Sequence, residues 1–181
     1  VLQGAILSNM FFEPSTRTRI SFGSAFNMLG GEVRETTEIE ATSLAKGESL
    51  YDTSRVLSGY SDVIVMRHPL AGSVAEFAEA SRVPVINGGD GDNEHPSQAL
   101  LDLFTIKKEL ESHNKELDTV RIALIGDLKF GRAAHSLCKI LMLYTNISIK
   151  LVSPDKLRLP DFLINEFKKN NISILETQDI K

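Results

Sequence analysis

Short apolar runs alternate with amphipathic stretches along the whole chain. Segments 4–12, 32–36, 62–66, 83–87, 120–125, 147–152 and 172–175 have the length and apolar content of strands. Helical spacing lies between them. Phe22, Ala25, Phe26 and Leu29 follow i, i+3, i+4, i+7, and Gly30 and Gly31 supply the stop. The pattern predicts a second helix over 49–60, with Leu50, Thr53, Leu57 and Tyr60 on one face, and a short third over 73–81. A fourth starts near Pro96 and turns Leu100, Leu103 and Phe104 inward; a fifth covers 132–144 and a sixth 160–170. Strands alternating with helices in this way predict parallel sheets covered by helices. The polar stretch 107–118 interrupts the apolar pattern and reads as a helix end followed by a linker. The expected architecture is α/β, with two parallel-sheet three-layer domains, the second incomplete: a first domain over 1–110, a linker at 111–118, and part of a second domain over 119–181.

The composition narrows the field of functions. Of 181 residues 42% are hydrophobic, ample for a core, and the net charge of −4 argues against general binding to nucleic acid or an anionic membrane. Any anion site must therefore be a local basic pocket. A single cysteine, Cys138, rules out an intrachain disulfide and falls in a predicted amphipathic helix, as a buried structural thiol would. No long apolar run or leader pattern is present, so the expected protein is soluble and cytoplasmic. Val1 runs directly into a strand, and the last residues resemble a strand followed by a cut, which reads as a piece of something longer.

One segment breaks a local rule. FFEPSTRTRISF reads as strand, turn and helix, and it places Arg17 and Arg19 in a first helical turn, where acids are favoured. Ser15, Thr16, Thr18 and two guanidinium groups gathered at a helix N-terminus suit a bound anion, with phosphate as the natural candidate. An N-capped helix with solvated arginines is the plainer alternative. Arg67 ends the strand-like run DVIVM and shares that strand edge. In GGDGDNEHPSQ, Pro96 suits the first helical position, so His95 and Gln98 are presented together at a helix mouth. Asp90, Asp92 and Glu94 do not fit a calcium-loop spacing, and no metal site is expected. TSLAKGESLYD sets Ser43 and Lys46 on a polar loop, and GDLKFGR sets Arg132 at a helix start without dinucleotide-binding spacing. The groups at 13–17, 67–69, 88–95 and 126–132 follow strand ends, the edge on which open parallel sheets bind ligands, whereas Ser43 and Lys46 read as part of a solvated loop. The residues point to a metal-free, basic pocket for a phosphate with a neighbouring carbonyl, and a second anion near Arg132.

In order, FFEPSTRTRISF, KGESLYDT, VMRHP, NGGDGDNEHPSQALLDLFTI and IGDLKFGRAAHSL closely resemble the motifs of the aspartate carbamoyltransferases, the enzymes of the second step of pyrimidine synthesis. The resemblance implies that Ser15, Thr16, Arg17 and Thr18 hold the phosphate of carbamoyl phosphate, with Arg67 beside them. It implies that Thr18, Arg67 and His95 bond the carbamoyl oxygen and that Gln98 meets the carbamoyl nitrogen. Ser43 and Lys46 would reach a neighbouring subunit's site, making the catalytic unit a homotrimer, and Lys46 and Arg132 would hold a carboxylate of L-aspartate. No cofactor or metal is implied. A regulatory chain or fusion to other enzymes of the pathway is compatible with the resemblance. This chain has NGGDG and HPSQ where the family usually has NAGDG and HPTQ, changes that keep the donor chemistry. It carries most of the carbamoyl phosphate site and one identified part of the aspartate site, so the isolated chain is expected to be weakly active or inactive. Two alternatives remain: a carbamoyltransferase for another amine such as ornithine, and a non-catalytic module that binds carbamoyl phosphate.

Overall fold

The structure, a computed structural model, describes residues 1–37, 43–144 and 146–180. It divides into two compact units, Val1–Asn93 and Glu94–Lys181.

The first unit holds strands β1 (Ile6–Phe11), β2 (Glu32–Thr36), β3 (Val63–His68) and β4 (Val85–Asp90), all parallel, in the order β2-β1-β3-β4. Helices α1 (Thr16–Met28), α2 (Leu50–Leu57) and α3 (Ser73–Ala80) connect them, with a short 3-10 turn at Ser43–Lys46. The two-residue period of a strand separates two cores. Leu7, Phe11, Val63 and Val65 meet Phe22 and Phe26 of α1 on one face. Met10, Phe12, Ile64 and Met66 meet Leu50, Leu57, Val74 and Phe77 of α2 and α3 on the other. This unit is thus a sheet between two helical layers. Gly30 ends α1 with φ +92, and a side chain at Gly31 would strike the Phe26 ring at 2.2 Å, so both glycines are needed where the chain turns into β2.

The second unit contains α4 (Pro96–Ser112), β5 (Arg121–Ile125), α5 (Arg132–Leu141), β6 (Ser148–Val152), α6 (Asp161–Lys169) and β7 (Ser173–Thr177), with parallel strands in the order β5-β6-β7. Ile122, Leu124, Ile149, Leu151 and Ile174 face one core with Leu137, Cys138 and Leu141 of α5 and Leu163 and Phe167 of α6. The opposite face of the sheet presents Ile125 and Leu175, both more than half exposed. The second layer of helices is absent among the described residues, consistent with the incomplete second domain expected. Burial pushes the Cys138 thiol up to about 12, so it packs as a small apolar group.

All seven expected strands are present within a few residues of their predicted ends. Two expectations fail. Leu103 and Ile106, not Leu100 and Phe104, carry α4 into the core; Leu100 and Phe104 are 59% and 62% exposed. The apolar stripe of α4 is wider than the face it buries, so spacing alone could not pick the inward rows. Tyr60 lies beyond the end of α2 and is 71% exposed. The polar 107–118 stretch holds the end of α4, which runs to Ser112, and then a connection in which Asn114 takes a left-handed turn before β5. No helix among the described residues is long and apolar enough to cross a membrane.

His68, at the end of β3, packs edge-on against Phe12 and accepts the Leu70 N–H at its Nδ1. Burial lowers its pKa, against a smaller upward pull from Glu76. Two predictions follow from this packing. Phe77→Ala and Phe167→Ala remove rings that are wholly buried in separate cores, so each should cost about 3–5 kcal/mol in urea titrations followed by circular dichroism. The neutral His68 ring stabilises the fold fully above the ordinary imidazole value and loses that contribution as pH falls through its lowered pKa. The urea midpoint should therefore fall between pH 7.5 and 5, and His68→Gln should shrink that fall.

Candidate active site

The parallel pairing of β1 with β3 sets Phe11 opposite Arg67, and Phe12 donates its N–H to the Arg67 carbonyl. Residues 13–18 therefore leave β1 beside the end of β3, on the carboxyl edge of the first sheet. Ser15 occupies the N-cap of α1 in extended conformation, yet its side chain makes no capping bond. The first turn carries no acid. Arg17 is exposed and forms no hydrogen bond or ion pair among the described residues. A 13-residue helix thus opens on free N–H groups, uncommitted hydroxyls and a free cation, all of which attract an anion.

Arg19 departs from the expectation of two converging guanidinium groups. It pairs with Glu35 on β2 at 3.3 Å, and Asn9 donates to the other oxygen of that carboxylate at 3.2 Å. Two positions on a helix point about 200° apart, so Arg17 and Arg19 cannot share a target.

Arg67 is 7% exposed. Its Nη2 donates to Glu13 Oε1 at 2.9 Å and its Nη1 to the Gly88 carbonyl at 3.4 Å. A buried guanidinium without a carboxylate costs several kcal/mol, and Glu13 supplies that partner. Space for it comes from Gly89, where a Cβ would lie 3.3 Å from Arg67 Nη1. The turn that carries Gly89 is braced by its own side chains. Asn87 accepts the Gly89 N–H at 2.7 Å, and the buried Asp90 carboxylate takes donors from Gly72, Asn87 and Asn93. Asp90 is thereby committed to N–H groups rather than to a cation loop. Glu13 was not singled out from the sequence, and Asp90 was weighed there only as part of a cation loop. Glu13 could have been found from its place between a strand end and the arginine-bearing turn.

In the second unit His95 is the N-cap of α4 and Pro96 its first residue, as expected. The His95 N–H donates to Ser136 Oγ at 3.0 Å, and its Nδ1 lies 3.2 Å from Ser97 Oγ. Gln98, in the first turn, donates from Nε2 to Asp102 at 2.8 Å, which fixes its amide with Oε1 as the acceptor still to be used. Arg132 is half-buried at the first position of α5. The preceding loop is tight: Asp127 accepts the N–H groups of Lys129 and Phe130, and a side chain on Gly131 would meet the Asp127 carbonyl at 2.6 Å. Ser43 and Lys46 are exposed on the 3-10 turn before α2, and no bond ties their side chains to the other site residues of the first unit.

The chain is similar to known proteins over nearly its whole length. The chain spans 99% of its length at 67% identity with an aspartate carbamoyltransferase catalytic subunit of Cellvibrio japonicus, covering 53% of that protein. A second such subunit, from Saccharophagus degradans, is 71% identical over 89% of the chain and 48% of its own length. The catalytic subunit of the M. jannaschii aspartate transcarbamoylase matches at a TM-score of 0.89 and 50% identity, over 99% of this chain and 57% of that one. The Trypanosoma cruzi aspartate transcarbamoylase, solved with carbamoyl phosphate and aspartate, matches at 0.86 and 44% identity, over 99% of this chain and 60% of that one. The chain thus spans about half the length of its curated relatives. Residues 1–108 match the family described as aspartate/ornithine carbamoyltransferase, carbamoyl-P binding domain. With more than half of its length matched by that domain, the chain belongs to the aspartate/ornithine carbamoyltransferase family.

Proposed function

We propose that the protein carrying this chain transfers the carbamoyl group of carbamoyl phosphate to the amine of L-aspartate, giving N-carbamoyl-L-aspartate and phosphate. The observation that carries this reading is the open N-terminus of α1: an uncapped Ser15, no acid in the first turn, and an Arg17 with no protein partner among the described residues. A helix start left so unsatisfied is a ready site for a phosphate dianion. The names of the relatives direct the acceptor to aspartate rather than ornithine.

In this reading Ser15, Thr16, Arg17, Thr18 and Arg67 bind the phosphate in the first unit. Thr18, Arg67 and His95 donate to the carbamoyl oxygen. The contact of Ser97 with Nδ1 leaves Nε2 as the ring atom for the carbamoyl oxygen, and Nε2 donates there in the tautomer in which the Ser97 hydroxyl donates to Nδ1. Gln98 Oε1, held by the Asp102 contact, accepts from the carbamoyl NH2. As the aspartate nitrogen bonds to the carbamoyl carbon, charge grows on its oxygen, and donors already in place stabilise it. The C–O bond to phosphate then breaks, the proton shed by the aspartate nitrogen leaves with the phosphate, and Arg17 and Arg67 offset the charge that leaves. Arg132 and Lys46 hold carboxylates of aspartate. Ser43 and Lys46, exposed and uncommitted on their turn, serve a neighbouring subunit, which makes the working assembly a cytoplasmic homotrimer. The first functional domain extends over 1–110, with 111–118 as its linker to the second.

The test is a carbamoyl-transfer assay on the protein that contains this chain, with aspartate and ornithine as competing acceptors. Carbamoyl-aspartate should be the product, and Arg17→Ala should lower turnover roughly a hundredfold or more, the scale of a lost transition-state charge contact. Transfer to ornithine, or full turnover by Arg17→Ala, would refute the reading.

A further inference from the structure

Helix α5 carries Arg132, Ser136 and Lys139 at i, i+4 and i+7, which is one stripe along its surface. Two members of that stripe grip the residues that open α4. Ser136, 5% exposed, accepts the His95 backbone N–H at 3.0 Å, and Lys139 is ion-paired with Glu94. The third member, Arg132, begins α5 one turn before Ser136.

His95 needs such a hold. It is the N-cap of α4 but its own side chain makes no capping bond, and its backbone (φ −139, ψ 69) lies outside the helical and extended wells. Its imidazole is therefore oriented by what pins the main chain and by Ser97, rather than by helix geometry. The residue that pins the main chain is on another helix. Ser136 Oγ accepts from a backbone N–H 41 residues away in sequence.

We infer that Ser136 is a positioning residue: by accepting the His95 N–H it sets the imidazole for the carbamoyl group. Because the same stripe begins at Arg132, α5 links the carbamoyl-oxygen donor and the carboxylate-binding arginine as one rigid piece. This inference rests on the reading of His95 and Arg132 given under the proposed function. The ion pair of Lys139 with Glu94 adds a weaker, partly exposed clamp on the residue before the histidine.

The experiment combines amide exchange and binding on the chain. In Ser136→Ala, exchange of the His95 N–H should accelerate at least about tenfold, while the amides of β6 keep their protection; a lost hydrogen bond to a buried hydroxyl is worth about this factor. Carbamoyl phosphate, titrated calorimetrically, should bind roughly tenfold more weakly. Ser136→Thr, which keeps the hydroxyl, should restore both. The decisive arm is a double-mutant cycle. If Ser136 acts through His95, adding Ser136→Ala to His95→Ala should cost nothing further in affinity, whereas a merely structural role would add its full loss. Should Ser136→Ala fail to fold, Lys139→Gln at an exposed position should still speed His95 exchange two- to threefold, roughly the worth of a surface ion pair. Unchanged His95 exchange, or additive losses in the cycle, overturns the positioning role while leaving the functional reading intact. Failure of the unmutated chain to bind carbamoyl phosphate overturns this role, while the transfer assay on the protein that contains the chain decides the functional reading separately.

Discussion

A guanidinium buried as deeply as that of Arg67 needs a carboxylate and carbonyl partners, and the way its two Nη atoms are held organises the carboxyl edge of the first sheet. Glu13 reaches it from the exit of β1, the Gly88 carbonyl from β4, and Gly89 supplies the space that a side chain would fill. Three successive strands of the sheet are thus tied to one cation. The desolvation cost of that cation is met by the Glu13 carboxylate, so the charge can stand ready before any ligand arrives. A donor fixed in advance does not have to reorganise during reaction, and this is what electrostatic catalysis requires.

The N-terminus of α1 works by the opposite device. There the protein leaves groups unmet: an N-cap serine without its bond, a first turn without an acid, and an arginine without a partner among the described residues. Each omission sacrifices a little helix stability, of the order of ~1 kcal/mol for a cap. Together they leave a site whose missing partner is a multiply charged anion. The second unit shows the same division of labour on a smaller scale. Asp102 accepts from the Gln98 amide and Ser136 accepts the His95 backbone N–H, so both residues at the mouth of α4 are tied to neighbours.

Much of this was legible in the sequence because it rests on short-range rules. Strand spans followed from apolar runs, and the helix mouth at His95 followed from Pro96. The anomaly at Arg17 was visible because cations are unexpected in a first turn. What escaped was set by tertiary neighbours. Arg19 looks like Arg17 in the sequence, and only the pairing of β1 with β2 brings Glu35 and Asn9 to it. Leu100 and Phe104 fit a helical stripe, but the face of α4 that is buried depends on where α5 and the second sheet lie. Glu13, Asp90 and Ser136 act through partners 54, 18 and 41 residues away, separations at which a single sequence carries no pairing signal.

The claim at the centre of this account is that the open start of α1, beside a pre-held Arg67, binds carbamoyl phosphate. Calorimetric titration of the chain with carbamoyl phosphate, set against inorganic phosphate and repeated at raised salt, tests it most directly. The account predicts saturable binding that prefers carbamoyl phosphate, weakens with salt and disappears in Arg17→Ala. Equal affinity for both ligands, or binding indifferent to Arg17, would contradict it.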